Sequence, residues 1–474
     1  MNARRDGSLL APLAVCALLA GWIALSVVNS RAMGFSLLLL ALANLIVYTD
    51  ALDFALRLWV SRRGAAGVGQ SASVAPLTDV SIDLDAIVPP ETRLLVTLAP
   101  YAIIASVFNL EDRLEEFFES FKPYRDRMWL ISDGSTDNTV LRLTQAGWRC
   151  FDDGVNRKKP GAIRRLLERL PKHIETVLVI DPDIRLDAAG SSIDLNRFIS
   201  DFQQSEAAAA CPRIMIEPDG FLARFQSFEY ALSFCVGRRS LKGFSITSGG
   251  VSIYRRDALA RALAEHSLSV YAEDLENALI LLGHGERIYY DGRLVVRTEG
   301  PGTLQRWFSQ RVGWYHGRIK VYFERFPEVL RISRRSPFAA YNYLVYLGIL
   351  SIAMHPIKMV SAALLVLSLA CGVDALLFDR VLPGLNPEYF AAAASGYLAL
   401  GVIALFTSVP KSERAYAAPI VPLYLCYALV HVIPMTVGYA NYFSLKLFRR
   451  RIYQDHYESP ADPSVSAQPT ELMQ

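Results

Sequence analysis

Two aspartates with a single proline between them, Asp181 and Asp183, follow the apolar run Val177 to Ile180. Four consecutive apolar residues read as a buried strand, and such strands ordinarily end in glycine or asparagine turns. Two carboxylates this close repel each other unless something positive lies between them. A divalent cation meets that need, because Mg2+ or Mn2+ is held by one or two carboxylates together with substrate phosphate oxygens. The simpler alternative is a turn with two solvated acids, and the apolar run before it argues against that.

Four further stretches carry residue types that do chemistry. In "ISDGSTDNT" (131–139) Asp133 and Gly134 close a second strand, and Ser135, Thr136 and Asp137 can cap the following helix. The stretch is either a capped turn or a nucleotide pocket in which Asp133 accepts hydrogen bonds from a base. "RKKPGA" (157–162) is a basic, glycine-containing helix start, which suits a diphosphate and makes Lys159 a candidate ligand. Glu273 and Asp274 open an amphipathic helix. The helix dipole alone favours acids there, and the chemical reading is a general base. Residues 305–326 combine Trp307, Trp314, Tyr315 and Tyr322 with Arg306, Arg311, Arg318 and Lys320. An amphipathic interfacial helix explains that mixture, while aromatic faces and guanidinium groups equally suit a sugar chain and a diphosphate.

The elements that must position these residues alternate. Strands are expected at Tyr101–Val107, Met128–Ser132, Val177–Ile180, Ala208–Ile214 and Val251–Tyr254, and helices at Leu110–Phe121, Thr136–Ala146, Gly161–Leu170 and Leu222–Val236. This order predicts an α/β domain with a mostly parallel sheet, whose ligands bind at the carboxyl ends of the strands.

Composition sets the domain in a membrane context. The chain has 474 residues, 52% of them hydrophobic, and net charge +3. That balance suits a soluble domain carried by membrane helices and implies no nucleic-acid partner. Six scattered cysteines, without a CxxC pair, suggest neither a zinc site nor a disulfide framework. Crossings of about 20 apolar residues are expected at Leu9–Val28, Met33–Tyr48, Phe338–Met354, Ile357–Phe378, Tyr389–Val409 and Pro419–Val437. Basic clusters at Arg57, Arg62 and Arg63, at Arg331, Arg334 and Arg335, and at Arg449 to Arg451 put the central domain in the cytoplasm. Lys411 and Arg414 then face outward, against that rule. The organisation expected is a transmembrane hairpin (1–50), a linker (51–91), an α/β domain (92–295), interfacial helices (296–336), transmembrane helices (337–448) and a cytoplasmic tail (449–474).

Taken in order, these motifs resemble the family 2 membrane glycosyltransferases, in particular the processive polysaccharide synthases of the cellulose, curdlan, hyaluronan and chitin type. The resemblance runs from Leu94 to Tyr322 plus the flanking helices. "SVFNLEDRL" (106–114) resembles the family's first strand-to-helix turn, "SDGSTDNT" its nucleotide loop, and "DPD" its metal-binding DxD. "TSGGVSIYRRDAL" (247–259) resembles the segment beneath the acceptor sugar, "AED" (272–274) the TED motif, and "QRVGW" (310–314) the Q(Q/R)xRW signature. The resemblance implies a Rossmann-like GT-A domain inserted between transmembrane segments of the inner (plasma) membrane. It implies a UDP-sugar donor held by Asp133, Glu111, Lys159 and Asp181, with Mg2+ or Mn2+ on Asp181 and Asp183. Asp274, beside Glu273, is the implied base of an inverting transfer that gives a β-linkage. Gln310, Arg311 and Trp314 are the implied holders of the acceptor end and diphosphate. The acceptor is a growing polysaccharide passed through a membrane channel, with an accessory export subunit as a compatible partner. A lipid-linked acceptor taking one sugar is the alternative. Two positions depart from the pattern: Ser132 replaces an acid, and Gly313 replaces the arginine expected to meet the diphosphate. Arg311, His316 and Arg318 are the nearby candidates to replace it. A silent scaffold or transporter would be marked by loss of Asp181, Asp183 or Asp274, and all three are present.

Overall fold

The structure is a computed structural model that describes residues 37–63, 99–268, 271–378 and 387–453. The expected crossing Leu9–Val28, the Gly- and Ser-rich part of the linker and most of the tail lie outside the described residues.

Short helix α1 (Leu37–Ala43) and helix α2 (Leu45–Arg63) come first. The linker expected from residue 51 is thus helical as far as Arg63. The next domain is built on one eight-stranded sheet in the order β3-β2-β1-β4-β7-β6-β8-β5. Its strands are β1 (Tyr101–Val107), β2 (Met128–Ser132), β3 (Cys150–Phe151), β4 (Thr176–Ile180), β5 (Arg185–Leu186), β6 (Ala209–Ile216), β7 (Val251–Arg255) and β8 (Ile288–Thr298). The half β3-β2-β1-β4 is parallel, as expected. The other half is mixed: β7 runs antiparallel to β4 and β6, β8 parallel to β6, and β5 antiparallel to β8.

The helices in chain order are α3 (Leu114–Phe121), α4 (Thr139–Gln145), α5 (Lys158–Arg169), α6 (Leu195–Gln204), α7 (Phe221–Leu232), α8 (Arg256–Glu265), α9 (Glu273–Gly283), α10 (Leu304–Glu324), α11 (Phe326–Ser333), α12 (Pro337–Ala340), α13 (His355–Phe378), α14 (Glu388–Thr407), α15 (Arg414–Ala417) and α16 (Tyr424–Phe448). Central strands are apolar throughout because helices cover both faces. Val177 and Val179 point into a core shared with Ile163 and Leu166 of α5 and Leu279 of α9. Leu178 and Ile180 point the other way, against Phe117 of α3 and Phe198 of α6. This period of two fixes which residue emerges where β4 ends.

Among the described residues, three helices are long and apolar enough to cross a membrane: His355–Asp374, Glu388–Thr407 and Lys411–Phe448. The crossing expected at Phe338–Met354 is instead a shorter apolar helical stretch, Pro337–Ala353. Part of it packs into the core of the α/β domain, since Tyr343 and Leu347 are buried there and the Tyr343 hydroxyl donates to the Phe244 carbonyl at 2.9 Å. Lys411 and Arg414 require a second correction. Arg213 of β6 forms a buried ion pair with Glu413, and the Tyr416 hydroxyl reaches the Met215 sulfur at 3.6 Å. The turn before α16 therefore packs on the α/β domain and does not stand apart from it.

Candidate active site

The motif acids emerge together at the carboxyl ends of β2 and β4. Asp133 follows β2, is 6% exposed, and accepts a hydrogen bond from the Arg157 backbone N–H at 2.5 Å. Burial pushes its carboxyl up to about 6. Gly134 has φ of +75°, and a Cβ there would lie 2.9 Å from the Asn156 backbone nitrogen. Only glycine lets the loop before α5 rest on the nucleotide loop. The two motif loops meet for that reason.

The Asp181 N–H donates to the Gly250 carbonyl at 2.7 Å, tying the end of β4 to the start of β7. Its carboxylate is paired with Lys159, whose Nζ also donates to the Gly249 carbonyl and stands 3.5 Å from Glu273 Oε1. Lys159 thus stands among the acids rather than out at a diphosphate. Burial pulls against its ammonium, but Asp181 and Glu273 outweigh that and hold its pKa above the usual lysine value. Burial raises Asp181 to about 6 and Glu273 to about 7, Lys159 opposing both shifts. Asp183 accepts from the Thr298 hydroxyl at 2.6 Å.

Asp274 stands in the first turn of α9, half-buried, across from β4. Its carbonyl accepts from the Thr247 hydroxyl at 2.8 Å, so the "TSGG" segment and the base candidate are fixed to each other. Lys159, Ser248, Gly249, Glu273 and Asp274 line one small cavity of about 30 Å3. Glu111, expected at the nucleoside, accepts instead from the Asn138 backbone at 3.2 Å and its side-chain amide at 2.9 Å. That exposed clasp joins the first strand-to-helix turn to the nucleotide loop.

The α10 motif divides. Gln310 and Trp314 are half-buried. Arg311 is 2% exposed and paired with Glu229 of α7 at 2.8 Å. Burial pushes the Glu229 carboxyl up, but Arg311, with His431, the Tyr427 hydroxyl and Arg318, together outweigh it and hold it below the usual glutamate value. Glu229 also accepts from Tyr427 of α16 at 2.8 Å, so Arg311 serves a three-helix junction and does not face a diphosphate. At Gly313 a Cβ would lie 2.4 Å from the Tyr271 ring. The arginine expected there has no room.

Thr298, Glu229 and Tyr271 escaped the sequence reading. Thr298 ends β8, a strand that the β-prone runs "IYY" and "LVV" on either side of "DGR" could have revealed. Glu229 and Tyr271 carry no motif; only the helix packing reveals them.

Among the described residues no cluster of three or more His, Cys, Asp or Glu side chains forms a ready cation cage. Two carboxylates two residues apart do fit a hard cation that arrives with phosphate oxygens, which needs no more from the protein. Lys159 must then yield Asp181 or share it.

A mixed sheet carrying these acids at its strand ends, followed by apolar helices, is a GT-A type glycosyltransferase fold. Residues 177–378, less than half of the chain, match the model described as glycosyl transferase family group 2, which supports a family 2 glycosyltransferase. The match takes in Asp181, Asp183, Asp274 and α10 but not the nucleotide loop. No curated protein matches. Among solved structures, the chain is similar to glucosyl-3-phosphoglycerate synthase from Mycobacterium tuberculosis in complex with phosphoglyceric acid, at 15% identity and TM-score 0.30, covering 45% of this chain and 76% of that one. The same enzyme in complex with Mn2+ and uridine-diphosphate-glucose matches at 16% identity and TM-score 0.30, covering 45% and 75%. Likenesses this remote carry no argument about substrate.

Proposed function

We propose that this protein is an inverting membrane hexosyltransferase that uses a UDP-sugar and polymerises it into a β-linked polysaccharide. The observation that carries the reading is that Asp181, Asp183 and Asp274 come together beyond the carboxyl end of β4, with Asp133 at the carboxyl end of β2 on the far side of β1. Asp133 holds the base of the nucleotide. Asp181 and Asp183 would hold Mg2+ or Mn2+, which would supply positive charge to offset that of the departing diphosphate. Asp274 accepts the proton of the acceptor hydroxyl as that oxygen attacks the anomeric carbon, inverting an α-linked donor to a β-linked product. Gln310 and Trp314 hold the acceptor, the indole offering a stacking face. The catalytic domain lies on the cytoplasmic side of the inner (plasma) membrane, and an accessory export subunit would suit a secreted product.

A second reading is transfer of one sugar to a lipid-linked acceptor. The Tyr271 ring over Gly313 favours it, because the arginine that accompanies processivity in the resembled synthases has no room there. Purified protein in lipid, given radiolabelled UDP-sugars singly with Mg2+ or Mn2+, separates the two by product size. A long polymer from one donor supports the first reading and a single lipid-linked sugar the second. Absence of sugar transfer from every UDP-sugar refutes both.

A further inference from the structure

Tyr271 lies three residues before Asp274, and its seat on α10 is built from two glycines one helical turn apart. A Cβ on Gly313 would meet the Tyr271 ring at 2.4 Å, and a Cβ on Gly317 would meet the Tyr271 carbonyl oxygen at 2.6 Å. The next residue, Ala272, has φ of +61°, a left-handed conformation costly for a side chain. That strained residue caps α9, whose first two residues are Glu273 and Asp274. Such a conformation persists only where its surroundings hold it. After Ala272, the hold is Glu276 of α9, fully buried, which accepts from the Ser267 backbone at 2.9 Å and is paired with Arg325 at 2.7 Å. Before Ala272, the hold is the glycine saddle under Tyr271.

From this geometry we infer that Tyr271 is a positioning residue, and that Gly313 is the seat that lets it aim Asp274 at the acceptor. The inference rests on the reading of Asp274 as the base. Restoring an arginine at 313 would not confer processivity; it would unseat Tyr271 and turn the α9 start. The two glycines differ in what they touch. The Gly313 contact is with the ring and vanishes when the ring is removed, whereas the Gly317 contact is with backbone and remains.

The test is a cycle on the full chain in lipid, read as UDP released from UDP-glucose and from UDP-N-acetylglucosamine with Mn2+. Gly313→Arg should lower kcat about a hundredfold, as misplacement of a reacting group does, with the donor KM and the Mn2+-dependent affinity for UDP unchanged. Gly313→Ala should lower kcat in the native background and add no loss in Tyr271→Ala, while Gly317→Ala should cost in both. Undiminished kcat in Gly313→Arg, or additive losses for Tyr271→Ala and Gly313→Ala, overturns the proposal. Full turnover in Asp274→Asn would instead remove the base assignment and leave this cycle readable. Should neither donor turn over, thermal unfolding decides. Alanine is the better helix former, so Gly313→Ala should lower the midpoint beside Tyr271 and raise it in Tyr271→Ala. The same sign in both backgrounds overturns the seat.

Discussion

The proposed donor side and the proposed acceptor side of the site are built differently. On the proposed donor side, Asp133, Asp181 and Asp183 leave strand ends where the backbone leaves little choice, and their partners Arg157, Lys159 and Thr298 come from the start of α5 and the end of β8. On the acceptor side one long helix, α10, carries the motif, and its residues divide between several faces. Arg311 goes to Glu229 and Gly313 to Tyr271. A strand end delivers a side chain to the edge of a sheet, so a motif there reads as a site. A helix delivers each residue to whichever neighbour lies on that face, so a motif there can be half structural.

The sharpest way to break this contrast is at Asp181. Asp181→Asn should reduce sugar transfer to background and make UDP affinity independent of Mn2+ by titration calorimetry; persisting Mn2+ dependence would put the cation elsewhere. Next is Arg311. Its loss leaves the half-buried Glu229 with Tyr427 but without its counter-charge, so Arg311→Met should destabilise the fold by about 1–3 kcal/mol. Arg311→Met with Glu229→Gln should recover most of that in chemical denaturation, with the donor KM unmoved. A raised KM with no change in stability would return Arg311 to the diphosphate.

The smallest effect is in pH. Burial raises Asp133 and Asp181 to about 6 and Glu273 to about 7. Each of these three acids therefore binds more protons in the folded than in the unfolded chain between roughly pH 4 and pH 7, so its contribution to stability falls as pH rises through that window. The buried His266 and the half-buried His316, held below the usual histidine value by burial, act in the opposite sense. The contribution of one acid is read by difference: the melting midpoint of Asp133→Asn relative to that of the wild type should be higher near pH 7.5 than near pH 5. A difference that does not change with pH would contradict the burial of Asp133.

How much was legible in the sequence follows the same division. The ends of β2 and β4 stand where the apolar runs place them, because buried parallel strands are bounded by turn residues on both sides. The acids at those ends followed. Strand β8 was missed because its two apolar runs are split by Asp291, Gly292 and Arg293, and the partner of Asp183 was lost with it. The apolar stretch at 338–354 reads as a crossing because composition alone does not tell a shorter helix partly buried in protein from one buried in lipid. The roles of Arg311 and Gly313 depend on which face of α10 meets α7, α16 or Tyr271. Spacing along one chain carries no record of those partners.

The most direct test is the stereochemistry and residue dependence of one transfer. Wild-type protein and Asp274→Asn, in lipid with Mn2+, would be given the UDP-sugar that turns over, and the new anomeric centre read by NMR. The account predicts a β-linked product and a fall in kcat of about a thousandfold in the variant, with UDP still bound. An α-linked product, or a variant as fast as the wild type, would contradict it.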